Sequence, residues 1–404
     1  SGYSNREFTL SERLLTQPRI LVYYLSLMLY PMTDRLALIY EVQLSTSLFT
    51  PWTTIPAILF WVGWTGLSIW LARTKPLISF CLLFFVINHL IESTFIPLEL
   101  IYEHRNYIPS MTIFLLISMA GIWFLRDFSQ KRLLHVLTAL VIVVTFFGQG
   151  HTVTQRNALF EHPLLLWADN AEKSPGLSRV HTNLGRSYQK QNLIDKAMES
   201  YLTSLETDRF HRHDLRAVPN NNLGIIYMQQ GNFDKARHYF QKAVTINPGV
   251  DKYKLRLAEA LTLLNELESA RSVIENLVEK APDKKTYRAL YSLILFKLND
   301  YEMAAEEAAK AIEYNARPSM AHRILGESNA QLGEYALAQK YWKQYSEANI
   351  RDMEALLALI HLGHIQGDRD QMRTSAVRLL SIKEDRSWDE LFEQFQERDA
   401  TSMV

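Results

Sequence analysis

The sequence predicts an all-α protein in two parts: a multi-pass transmembrane helical domain over residues 1–150, then an α-solenoid of short helix pairs. Three observations carry that prediction. Ala236, Ala270, Ala304 and Ala338 recur every 34 residues, and Ala197 precedes the first by 39. Most of the chain before residue 150 is built of apolar runs near the 20 residues a bilayer core demands. Charge is unevenly shared, for only 10 of the 43 Lys/Arg and 8 of the 43 Asp/Glu fall in residues 1–150. A net charge of +0 and a mean hydropathy of −0.10 therefore average over two unlike materials.

Four runs in the first part read as spans: 55–72, 76–91, 108–125 and 133–148. A fifth, 14–30, is interrupted by Gln17, Pro18 and Arg19. It is read as crossing, with a position along the interface as the alternative, which gives four to five spans. Thr9 and Glu12 have capping-box spacing in front of it. Arg73 and Lys75 lie between the first two strong runs, and Arg126, Lys131 and Arg132 between the last two. Cytoplasmic loops carry the Lys/Arg excess. Loops 32–54 and 92–107, and everything after Gly148, are thus expected outside the cytoplasm, with the repeats facing a periplasm or a lumen.

Composition also excludes. Neither part is strongly basic, so nucleic acid is not an expected partner. The single cysteine, Cys81, sits in an apolar run, which rules out a disulfide within the chain or a cysteine-based zinc site. The chain begins Ser1-Gly2 and is read as a piece of a longer protein.

In the second part the consensus positions can be checked one at a time. Leu184, Gly185, Tyr188, Ala197 and Tyr201 make a first unit; Leu223, Gly224, Tyr227, Ala236, Phe240 and Pro248 make a second. Leu257, Ala270 and Pro282 mark a third, Ala304 a fourth, and Leu325, Gly326, Ala338 and Trp342 a fifth. A sixth keeps Leu359 but has Met372 at the alanine position. These residues at this period are the tetratricopeptide signature. The array is expected over 178–380, after a connector at 151–177. Residues 381–404 form the tail, with 387–398 as a capping helix. Extra residues between the first two units fall around 207–216. His211-Arg212-His213 in that stretch has no third ligand at a known spacing, so it is read as a structural loop and no metal is assigned there.

Repeat arrays bind partners. Arg179, Asn183, Arg186, Lys190, Asn222, Lys252, Arg256 and Arg323 fall on the first helices of the units, which line the concave face. They suggest a shallow basic groove for an extended polypeptide or an anionic glycan, against the plainer reading of a solvated helix face. Asn183 and Asn222 share a repeat position and could begin an asparagine ladder to a peptide backbone. Arg256, Leu290 and Ile324 follow at that position, so any ladder is short.

The remaining concentration of chemistry is loop 92–110, where Glu92, Glu99, Glu103, His104 and Arg105 crowd between two apolar runs. Ionisable groups at the membrane surface point to function, although charged interfacial loops are common and Tyr107 suits a headgroup-level anchor. Glu103, Tyr107, Pro109 and Ser110 resemble the E-R-x-x-Y-x-P-S segment of the eukaryotic transmembrane-and-TPR O-mannosyltransferases. The longer string from Ile96-Pro-Leu-Glu99 to Ser110 is similar to their bacterial relatives. His104 stands where that family has arginine, and Arg105 follows it.

The resemblance implies a GT-C-type membrane domain whose N-terminal part is missing from these residues, with lipid-phosphate-linked sugar as the donor. It implies a multi-pass protein of a bacterial inner membrane, with its repeats in the periplasm. Glu103, His104, Arg105, Tyr107 and Arg35 are the donor-binding residues it suggests, the cations neutralising the leaving phosphate. Glu103 either orients the arginine or holds a divalent metal. GT-C enzymes place their catalytic acids in an early outside loop, so no catalytic residue is assigned here. Two other readings stay open: a membrane-anchored TPR scaffold for an envelope complex, and an O-antigen-ligase-like polysaccharide transferase built on a histidine and an arginine.

Overall fold

The computed structural model describes residue 3 and residues 8–127, 132–207, 213–313 and 320–382. Lys131, residues 208–212 including His211 and Arg212, and the 387–398 segment lie outside the described residues. Every regular element among the described residues is helical. Contacts divide the chain into two compact units, 1–219 and 220–404.

The first unit opens with α1 (Leu10–Leu29), capped by Thr9 and Glu12 in the reciprocal box the sequence predicts. Next come α2 (Thr54–Leu71), α3 (Pro76–Glu92), α4 (Tyr107–Asp127) and α5 (Arg132–Glu161). Three helices are long and apolar enough to cross a membrane: Thr54–Leu71, Glu103–Arg126 and Arg132–Glu161. They mark a membrane protein. Helix α3 is apolar but has only 17 residues, and α1 is not among the three.

The expected boundary at 150 is not a break in the structure. Helix α5 runs unbroken from its apolar half into the polar residues 149–161, and ends only where His162 precedes Pro163. The connector is then helical as well: α6 (Pro163–Lys173) starts with that proline in its first turn, where a missing N–H costs nothing. The first repeat, α7 (Ser178–Lys190) with α8 (Ile194–Glu206), falls in the same unit as the apolar helices.

The second unit holds the rest of the array. Helix α9 (Ala217–Gln229) precedes α10 (Phe233–Ile246), and three pairs follow: α11 (Asp251–Leu263) and α12 (Leu267–Lys280), α13 (Lys285–Lys297) and α14 (Tyr301–Glu313), α15 (Met320–Gln331) and α16 (Tyr335–Ala348). Helices α17 (Met353–Gln366) and α18 (Arg369–Ile382) form the last. Ala197, Ala236, Ala270, Ala304 and Ala338 are all 0% exposed, as close-approach residues must be. A second beat accompanies them. Asn192, Gly231, Asn265, Asn299, Gly333 and Gly367 turn each pair in the left-handed conformation, 39 and then 34 residues apart. Only glycine and asparagine adopt it cheaply, and Gly367 keeps the register of the sixth unit despite Met372.

Helix pairing in the array follows size complementarity between two positions 16 residues apart. A Cβ on Gly185, Gly224 or Gly326 would lie 2.7, 2.6 or 2.9 Å from the ring of Tyr201, Phe240 or Trp342. Where the first position is Ala258 or Ser292, the second is Ile274 or Ala308, and all four are 0% exposed. Gly224→Ala is accordingly expected to cost about 1–3 kcal/mol through overpacking on buried Phe240. Gly249→Ala, whose Cβ would meet only Asn247 Oδ1 at 3.7 Å, should be neutral in the same thermal or denaturant unfolding series.

Candidate functional site

Helix α1 is polar where it is covered. Arg13 and Thr16 are 0% exposed and Gln17 3%. The Arg13 guanidinium donates to the carbonyls of Glu92, Thr94 and Leu98, and Gln17 donates to Leu100. Tyr24 accepts from the Tyr102 N–H at 2.8 Å. The loop between α3 and α4 is thus held along one side of α1 by side chains that satisfy its backbone.

The extended stretch 36–45 is held from two directions. From α1, Thr16 accepts from the Ser45 N–H at 2.8 Å and Arg19 donates to Gln43 O at 2.7 Å. From α6, Asn170 pairs with both backbone groups of Ile39, accepting at 2.8 Å and donating at 2.9 Å, as a neighbouring strand would. Ser174 donates to Ile39 O at 2.9 Å, and Lys173 to Thr33 O at 2.7 Å and Leu36 O at 3.0 Å. Glu41 accepts from the Gly176 N–H at 2.9 Å. The route from α5 to the first repeat is therefore fastened onto the membrane-side loops.

Between these pieces lies a cleft of about 320 Å³, lined by Arg19, Tyr23, Asp34, Arg35, Tyr40 and Lys173 among others. Arg35 donates to the carbonyls of Ser26 and Tyr30 and to Ser26 Oγ, with its guanidinium over the Tyr23 ring. Among the described residues neither Arg19 nor Arg35 forms an ion pair, whereas Lys173 is paired with Asp169 at 2.7 Å. In the cleft wall, Tyr40 donates to Glu103, which also accepts from Arg156 of α5 at 3.1 Å. Burial first, then the charge and hydrogen bond of Glu103, push the Tyr40 phenol far above its ordinary range, so it stays a donor.

The residues singled out in loop 92–110 are not gathered at one point. The Arg105 side chain is 3% exposed, pairs with Glu92 at 2.8 Å and donates to Glu99 O at 2.8 Å. It braces the loop from within. His104 is exposed, its ring beside that of Tyr102, and Tyr107 is 77% exposed at the start of α4. The adjacent histidine and arginine thus point to different surroundings. Among the described residues no group of three His, Cys, Asp or Glu side chains gathers in a way that could hold a metal ion. Sequence reasoning missed Arg13, Arg19, Tyr40, Arg156 and Asn170. Only Arg19 gave a signal, as a charge inside an apolar run, with Arg13 just before that run.

In the array, Arg186 and Lys190 are exposed. Arg179 meets Glu99 at 3.2 Å. Arg256 pairs with Glu259 at 2.7 Å, and Arg323 with Glu327 and Glu354, both at 2.9 Å. These first helices are charge-balanced there rather than continuously basic. Asn183 is half-buried, and Asn222 is 8% exposed. Asn222 Oδ1 accepts from Asn221 at 3.2 Å, which leaves the Asn222 amide nitrogen and the Asn221 amide oxygen buried without partners.

Comparison with known proteins defines the class first. Residues 176–249, 227–294 and 292–367 each match a tetratricopeptide repeat family, so the chain carries TPR repeats over that region. Over 208 residues, half of this chain and 23% of the relative, it is 24% identical to the human protein O-mannosyl-transferase TMTC1. Over 149 residues, 36% of this chain and 26% of the relative, it is 30% identical to a TPR repeat-containing protein of Methanocaldococcus jannaschii. The matched stretches span about a quarter of the length of either relative. Among solved structures it is similar to PilF of Pseudomonas aeruginosa, at 16% identity and a TM-score of 0.45, covering 55% of this chain and 97% of that one.

Proposed function

We propose that the protein is part of a GT-C-like membrane glycosyltransferase that moves a sugar from a lipid-phosphate donor to a protein or glycan acceptor outside the cytoplasm. The observation that carries this reading is the cleft between α1, the 34–43 stretch and the end of α6: beside Asp34 and Glu41 it holds two guanidinium groups that form no ion pair among the described residues. A lipid phosphate brings concentrated charge to that level, and arginine is suited to hold it in charge-assisted contacts. The similarity to TMTC1 supports the class of chemistry. The array is the acceptor module. Arg35 keeps its donor-binding role, Arg19 joins it, and Arg105 becomes a brace.

The test uses the full-length protein in membrane vesicles with a labelled polyprenyl-phosphate hexose. Each lost charge-assisted contact is worth about 1.5–3 kcal/mol. Arg19→Ala combined with Arg35→Ala should cut label transfer to protein and glycan by about tenfold or more, with abundance unchanged and partial return in the Lys variants. Undiminished transfer would remove the donor reading. A membrane-anchored scaffold would then stand in its place, favoured by the hydrogen bonds that fix α6 and the first repeat to the loops.

A further inference from the structure

Over its first half, helix α1 has its polarity turned outside in. Its buried side carries Arg13, Thr16 and Gln17 there and Ile20, Tyr24, Leu27 and Met28 further on, while Leu10, Leu14, Val22 and Leu29 are 42%, 47%, 36% and 65% exposed. Those four fall at helical spacing along one side, so an apolar stripe faces outward opposite a side that is already filled, in its first half by side chains that satisfy loop carbonyls. In water that outward stripe would have no partner.

Twenty residues make a helix of about 30 Å, long enough to cross a bilayer. Its two ends are nevertheless held from the same side. The first turn is fixed through Arg13 to the loop between α3 and α4. Just beyond the last turn, Leu36 O accepts from Arg156 at 2.7 Å and from Lys173. Arg156 and Lys173 both lie past the apolar half of α5, which exits at the end of the bundle where α3 finishes and α4 begins. At that level too are exposed Phe49 and Trp52, each 76%, just before α2, and Tyr107 at the start of α4. Exposed aromatic residues at span ends mark the headgroup region.

We infer that α1 does not cross the membrane but lies along its outer surface, presenting Leu10, Leu14, Val22 and Leu29 to the acyl–headgroup boundary of one leaflet. The occupant of the stripe is lipid, because the stripe is continuous with the exposed apolar surfaces of α2, α3 and α4. The loops that cover the polar side then form a platform on the membrane, with the cleft in its upper face. This orientation is independent of any sugar-transfer activity.

Depth measurement decides it. The full-length protein with Cys81→Ala, reconstituted in phosphatidylcholine vesicles, carries a single nitroxide at Leu14→Cys, Val22→Cys or Leu29→Cys. Oxygen and nickel-chelate accessibilities should place all three labels at one shallow depth, within a few ångströms of each other. A crossing helix would instead separate positions 14 and 29 by about 22 Å, and that gradient would overturn the inference. High nickel with low oxygen accessibility at all three would also overturn it, by putting the stripe in water. Labels at Arg73→Cys and Trp52→Cys calibrate the two surfaces.

Discussion

Arg13→Met should be among the most destabilising single changes in the membrane part of this chain, although it keeps most of the side-chain volume. Arg13 is 0% exposed and donates to three carbonyls, of Glu92, Thr94 and Leu98, that lie 79 to 85 residues away. Methionine replaces the stem but strands those oxygens against an apolar surround, at about 1–3 kcal/mol each. The total lies in the tail of point-mutant effects, about 4 kcal/mol or more. The loop would then detach from α1, taking the brace at Arg105 with it. Arg13→Lys should recover only part of the loss, because one ammonium cannot reproduce a planar fork aimed at three acceptors. Thermal unfolding of the purified full-length protein in detergent reads the effect, with exposed Arg73→Met as the neutral control. A melting temperature unchanged by Arg13→Met would mean that water replaces the guanidinium and that the loop is not held from α1.

This arginine also shows what the sequence could and could not disclose. The array was legible because its constraints are local and repeated. An alanine must let two helices approach, an asparagine or glycine must turn left-handed between them, and both recur on one period. Neither depends on a distant partner. Loop 92–110 is the opposite case. A charged residue beside an apolar run reads the same whether it faces lipid headgroups, a ligand or the protein interior. Arg105 resembled a ligand-facing cation, yet its surroundings are Glu92, Glu99 O and the Tyr102 ring. Arg35, a donor-binding candidate from outside that loop, lines the cleft instead. The partners that decide these fates are set by how α1, the 36–45 stretch and α6 meet, and no spacing in the sequence encodes that meeting. Asn170 is the clearest instance: an asparagine in an ordinary amphipathic helix acts as a strand edge for Ile39, 131 residues earlier.

In the second unit the largest loss is expected from Glu307→Ala. Glu307 of α14 and Arg288 of α13 form an ion pair at 2.5 Å with side chains only 10% and 11% exposed. Arg288 also donates to Pro282 O, and Lys310 reaches Glu307 at 2.9 Å while pairing with Glu306 at 2.6 Å. Removing Glu307 leaves the buried guanidinium without its paired carboxylate, whereas Lys310 retains Glu306. Breaking such a pair costs about 3–5 kcal/mol. The same physics predicts that removing both charges is far milder. Arg288→Met with Glu307→Leu places apolar side chains in a helix pair whose Ala304, Ala308 and Ile294 are already core, and should recover most of the stability lost in either single variant. Denaturant unfolding of the four proteins in one cycle gives the coupling directly. Hydrogen exchange across 285–313 shows whether the loss starts in this helix pair. If Glu307→Ala costs less than about 1 kcal/mol, the pair behaves as a solvated surface bridge, and α13 and α14 are held by their apolar contacts alone.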